Sequence, residues 1–73
     1  MEKQRTPIGL AEAAFTPRER EVLGQVLRGL TNKEIAAHLN IRLRTVEFHM
    51  TSILRKVRVT SRNQLFATAL RRP

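Results

Sequence analysis

Apolar residues along the chain fall into four separate stripes of helical period, and no stretch alternates with the period of two that a strand requires. The first stripe is Val22, Leu23, Val26 and Leu27. It follows Thr16-Pro17-Arg18-Glu19, where Thr can cap a helix, Pro fits its first position and Glu at the third completes a capping box. Gly29 suits the left-handed turn that closes such a helix, and Phe15 stands where it can staple back onto it. Thr31-Asn32-Lys33-Glu34 repeats the capping box ahead of a short helix with Ile35, Ala36 and Leu39 on one face. Asn40, which tolerates left-handed geometry, stops it, and Ile41 anchors the turn.

A third helix is predicted from about Leu43 to Val57, with Val46, Met50, Ile53, Leu54 and Val57 on its apolar side. Arg44, Phe48, Thr51 and Arg55 lie opposite, with Glu47 and Ser52 at the edges. Ser61-Arg62-Asn63-Gln64 reads as another capping box, opening a fourth helix that buries Leu65, Phe66, Ala69 and Leu70. Arg71 and Arg72 suit its C-terminal dipole end. Residues 1–14 show no firm period and are broken by Pro7 and Gly9, so they read as a flexible lead-in or linker. Residues 15–73 read as one all-α domain of four helices.

Composition narrows the chemistry. The chain has 73 residues, no Cys, no Asp, no Trp and no Tyr. A disulfide framework, thiolate metal sites and a thiol nucleophile are excluded, and no phospho-aspartate switch can lie within these residues. His38 and His49 alone do not make a metal site, and neither Ser52 nor Ser61 has a base and orienter arranged beside it in the sequence. No catalytic residue, metal or cofactor is expected, and the chain reads as soluble and cytoplasmic because no apolar run approaches the length of a membrane span.

Charge points to the partner. The formal net charge is +8, and it is uneven. Residues 1–41 carry six basic and five acidic side chains, a net of +1; residues 42–73 carry eight basic side chains against Glu47 alone, a net of +7. A polyanion is expected to meet the second half. A short helix, a tight turn and a longer basic helix form helix-turn-helix geometry, which presents the second helix to the DNA major groove. His38 reads as an ordinary helix-surface residue.

The resemblance to a known family is closer than this general pattern. Phe15-Thr16-Pro17-Arg18-Glu19-Arg20-Glu21-Val22-Leu23 resembles the opening of the LuxR/GerE-type DNA-binding domain of bacterial transcription regulators. Gly29-Leu30-Thr31-Asn32-Lys33-Glu34-Ile35-Ala36 is similar to that family's second helix. Thr45-Val46, His49, Ile53-Leu54-Arg55-Lys56, Val59 and Arg62 resemble its recognition helix and the start of its fourth helix. The likeness covers roughly residues 15–71. It implies sequence-specific binding of double-stranded DNA, with the third helix in the major groove and the fourth supporting a weak homodimer that DNA strengthens.

Carried over by position, Glu47, Phe48 and Thr51 stand where the family reads bases, and Arg44 joins them from its place on the exposed face. Lys33, Thr45, His49 and Lys56 stand where it meets phosphates, and Arg55 extends that set from its own helix face. Asn63 and Ala67 would face a dimer partner. RNA polymerase is a further expected partner, and a membrane is not. A receiver or ligand-binding domain precedes this one in most of the family. Three departures stand out: Arg42 where the family commonly has Ser, Glu47 where a basic residue is frequent, and Arg58 where Gly is frequent. The readings held open beside this one are region 4 of a sigma factor, which opens in a similar way, and a basic adaptor docking on an acidic protein or an anionic membrane.

Overall fold

The computed structural model describes residues 8–70, and these form four helices: α1 (Pro17–Leu27), α2 (Asn32–Leu39), α3 (Leu43–Val57) and α4 (Arg62–Leu70). The first two begin as their sequences predict. The Glu19 N–H donates to Thr16 Oγ1 at 3.1 Å while the Thr16 N–H donates to Glu19 Oε1 at 2.9 Å. The same reciprocal pair links Thr31 and Glu34, at 3.2 and 2.8 Å. Each box satisfies amides that have no acceptor in a helix's first turn. α3 starts without such help, since Arg42 at its N-cap makes no side-chain capping bond.

The turns follow from local chemistry. Gly29 has φ +92° after α1, Asn40 has φ 56° after α2, and Arg58 has φ 67° after α3. Gly takes this left-handed geometry freely, Asn takes it with little penalty, and Arg is strained there by about 1 kcal/mol.

α3 packs against each of the other three helices and carries the center of the core. Val22, Val26, Ile35, Val46, Ile53, Val57 and Leu65 are fully enclosed. α1 and α2 thus clasp α3 along its Val46–Met50–Ile53–Val57 stripe, and Leu65 of α4 closes one side. This leaves the opposite flank of α3 uncovered.

Several sequence expectations are corrected by the packing. The lead-in does not hang free over residues 8–14: Ala13 is buried, Ile8 and Leu10 pack on the core, and the Ile8 N–H donates to the Val57 carbonyl at 3.1 Å. Small and apolar residues without period can still join a core that only the tertiary fold creates. Residues 1–7 lie outside the described residues. Leu27 sits at the rim of the α1 stripe and is partly exposed rather than buried. The capping box of α4 is only half formed. Ser61 Oγ accepts the Gln64 N–H at 3.2 Å, but Gln64 Oε1 turns back to the N–H and hydroxyl of Thr60 instead of the Ser61 amide.

The buried face of α4 is shifted from the predicted one, gaining Thr68 and losing Leu70. Leu65 and Thr68 are buried, Phe66 and Ala69 are half-buried, and Leu70 is 80% exposed. Thr68 can be enclosed because its hydroxyl donates to the Gln64 carbonyl one turn back, at 2.9 Å. The expected pairing of Arg71 and Arg72 with the helix dipole lies outside the described residues.

Candidate nucleic-acid interface

The uncovered side of α3 follows from a period of 3.6 residues per turn. Once Val46, Met50, Ile53 and Val57 face the core, Arg44, Glu47, Phe48, Thr51 and Arg55 must face away from it. All five are exposed, and Phe48 is 69% exposed, the more telling because a large aromatic is costly to leave in water. His49 is half-buried and stands edge-on to Phe48, with ring centroids 5.9 Å apart and planes at 64°. That contact limits the swing of the Phe48 ring. The Thr51 hydroxyl donates to the Glu47 carbonyl at 3.1 Å, one turn back on the same helix.

Thr45 is half-buried beside this face, and Lys33 is exposed in the first turn of α2, across the turn from α3. The structure therefore gathers Arg44, Thr45, Glu47, Phe48, His49, Thr51 and Arg55 on one helix and its near flank. Among the described residues, ion pairs join only Arg18 to Glu21 and Lys56 to Glu19. Arg44, Arg55 and Arg58 have no acidic partner within that set, and Glu47 has no basic one. Asn63 and Ala67 lie apart from this face, exposed on α4.

Lys56 is the exception. The family resemblance sets it against a phosphate, but its ammonium donates to Glu19 Oε1 at 2.7 Å and to the Ala14 carbonyl at 3.0 Å. Glu19 is 5% exposed, and its second oxygen accepts the Ser52 hydroxyl at 2.6 Å. Burial alone would raise the Glu19 pKa. The hydrogen bonds from Lys56, Ser52 and the Thr16 amide, with the Lys56 charge, outweigh it and hold the carboxyl at about 2. Arg62 is likewise drawn inward. Its guanidinium donates to Asn32 Oδ1 at 2.9 Å and to the Leu30 carbonyl, tying the start of α4 to the start of α2.

The inward roles of Glu19, Ser52 and Arg62 were missed in the sequence. Local sequence gives Glu19 only its capping box, and its other partners stand 33 and 37 residues away, beyond any local rule. Lys56 lacked a nearby acid in sequence, and that gap was the one visible hint. Among the described residues no group of His and Glu is placed to hold a metal ion, and no helix is long and apolar enough to cross a membrane.

Known proteins share this arrangement of sequence. The family described as bacterial regulatory proteins, luxR family, matches residues 13–69, which takes in all four helices apart from the last residue of α4. The probable transcriptional regulator ycf29 of Cyanophora paradoxa is 46% identical over 56 residues, covering 77% of this chain and 27% of that protein. The nitrate/nitrite response regulator protein NarP of Escherichia coli is 43% identical over 63 residues, covering 82% of this chain and 29% of that protein. The response regulator Rre1 of a Synechocystis strain is 46% identical over 56 residues, covering 77% and 24%. The chain thus spans less than a third of the length of these relatives. With the family match over more than half of its length, and with four helices placed as the sequence predicts, the chain belongs to the luxR family of bacterial regulatory proteins and is a DNA-binding domain of transcription regulation.

Proposed function

We propose that the chain binds double-stranded DNA sequence-specifically by inserting α3 into the major groove, and that it catalyses no reaction. Arg44, Glu47, Phe48 and Thr51 read base edges, while Lys33, Thr45, His49 and Arg55 contact phosphates on either side. The observation that carries this reading is the exposed Phe48 set among Arg44, Arg55 and Glu47, which have no ion-pair partner among the described residues, on one face of one helix. Arg44 can donate to guanine, Glu47 can accept from the amino group of cytosine, and Phe48 and the Thr51 methyl can lie against a thymine methyl. Phosphate contacts fix the register without reading sequence.

In vitro selection from a randomised duplex pool tests the reading and also returns the half-site and its symmetry. Binding should weaken with salt, with log affinity falling against log salt at about 0.9 per phosphate neutralised, for about four to six phosphates per chain. Failure to enrich any duplex, or an affinity indifferent to salt, would exclude it.

On the same reading the domain acts in a cytoplasmic regulator of transcription, and RNA polymerase is among its partners. α4 offers Asn63 and Ala67, with Leu70 one turn further, as a small surface for a weak homodimer. Two half-sites about one helical turn apart would select that dimer. Sedimentation with and without duplex distinguishes a monomer throughout from a dimer formed on DNA.

A further inference from the structure

The buried carboxylate of Glu19 has no part in reading DNA, yet it gathers donors from three places at once. Ser52 and Lys56 stand one turn apart on α3 and both donate to it, at 2.6 and 2.7 Å. The Thr16 amide at the start of α1 donates at 2.9 Å. The Lys56 ammonium also holds the Ala14 carbonyl of the segment before α1, at 3.0 Å. Apolar packing sets the coarse rotation of two helices through their interdigitated side chains, but hydrophobic burial itself is not directional and tolerates small adjustments. Hydrogen bonds are directional, and charge-assisted ones are the strongest of them. Two donors one turn apart, meeting one enclosed carboxylate, therefore fix both the rotation and the slide of α3 relative to α1.

Position makes this matter for DNA. By helical period, Ser52 and Lys56 lie on the flank of α3 between its core stripe and its exposed face. A rotation of about 20° on a side-chain radius of about 5–6 Å would sweep Phe48 and Arg44 by about 2 Å. Base contacts tolerate about 0.5 Å, whereas the flexible side chains that meet phosphates adapt. We propose that Glu19, Ser52 and Lys56 form a clamp that positions α3 for base reading, and that Lys56 acts there as a positioning residue and not as a phosphate contact. The proposal rests on α3 being the groove helix.

The test uses the 73-residue chain and two probes: a duplex selected from a random pool, and a scrambled duplex of equal length and composition. Lys56→Met keeps the apolar stem and removes the ammonium. It is compared with the wild type at about 10 °C, near the temperature of greatest stability, with helical content checked by circular dichroism. The expected result is a loss of about tenfold or more in the ratio of selected to scrambled affinity, with the salt slope unchanged. Ser52→Ala removes one hydrogen bond and keeps both charges, so it serves where Lys56→Met does not fold. It should lower the same ratio about twofold to fivefold, again without changing the slope. For Lys56→Met, a slope that falls by about 0.9, the value of one lost phosphate contact, overturns the proposal. For either folded variant, a ratio that stays at the wild-type value also overturns it. Should the wild type itself bind no duplex, the groove reading fails first, and that outcome is distinct from both.

Discussion

The first two helices and the last two are built by different means. α1 and α2 each begin with a complete capping box and end on a residue suited to left-handed geometry. α3 begins at an uncapped Arg42 and ends at a left-handed Arg58, and α4 has half a box. Charge divides in the same way, with +1 through residue 41 and +7 after it. Local sequence is sufficient for the front half. The rear half depends on what α1 and α2 do for it: they cover the apolar stripe of α3 and they supply Glu19. The helix proposed to meet DNA thus has arginines at positions where capping or glycine would have favoured stability.

The largest way to break this dependence is Lys56→Met. It leaves Glu19 enclosed without its counter-charge and should destabilise the domain by about 3 kcal/mol, read by urea unfolding at neutral pH. Acid tests the same link. Because the folded Glu19 pKa is lowered from 4.5 to about 2, its contribution is complete above about pH 4.5 and is lost as pH falls toward 2. Glu19→Gln should flatten that limb of the stability curve, and a curve of unchanged shape would show that other carboxylates dominate it.

Next is the exposed face. Phe48→Ala should weaken binding to the selected duplex by about 2 kcal/mol, near thirtyfold, and binding to scrambled duplex far less. Equal losses on both would return Phe48 to the role of a bystander on the surface. Unlike Lys56→Met, this variant should keep its melting temperature, because the ring makes no core contact.

The smallest effects compare caps. Thr31→Ala removes a working box and should cost about 1 kcal/mol, lowering the melting temperature by several degrees. Arg58→Gly and Arg42→Ser should act in the opposite sense. The first relieves left-handed strain of about 1 kcal/mol. The second supplies a missing N-cap worth about 0.5–1 kcal/mol. If both variants gain stability while losing DNA affinity, the arginines are present for the polyanion. If neither loses affinity, they are merely tolerated.

Reading the sequence was sufficient where one helix settles the matter by itself. Thr16, Glu19, Thr31 and Glu34 announce their helices because a capping box closes within four residues. The exposed face of α3 was legible for a similar reason: five apolar positions fix its inner side, and 3.6 residues per turn then fix Arg44, Glu47, Phe48, Thr51 and Arg55 on the outer one. Asn40 was legible as a left-handed turn from its residue type, and Arg58 only from the Gly frequent at its position in the family it resembles.

Other features depended on neighbours distant in the chain. Residues 8–14 look like a linker until the fold takes Ala13 into the core, packs Ile8 against it and ties the Ile8 N–H to the Val57 carbonyl. Leu70 looks like core until α4 proves to bury Leu65 and Thr68 and to leave Leu70 at its open end. Lys56 looks like one more cation in a basic run, and only the fold brings Glu19 to it across 37 residues. The sequence alone determined four helices, their order, the surplus of positive charge and the half of the chain that carries it, because hydrogen-bonded turns and helical period are local. Tertiary structure decided which of those charges remain available to a partner, because a buried carboxylate binds whichever cation the packing delivers.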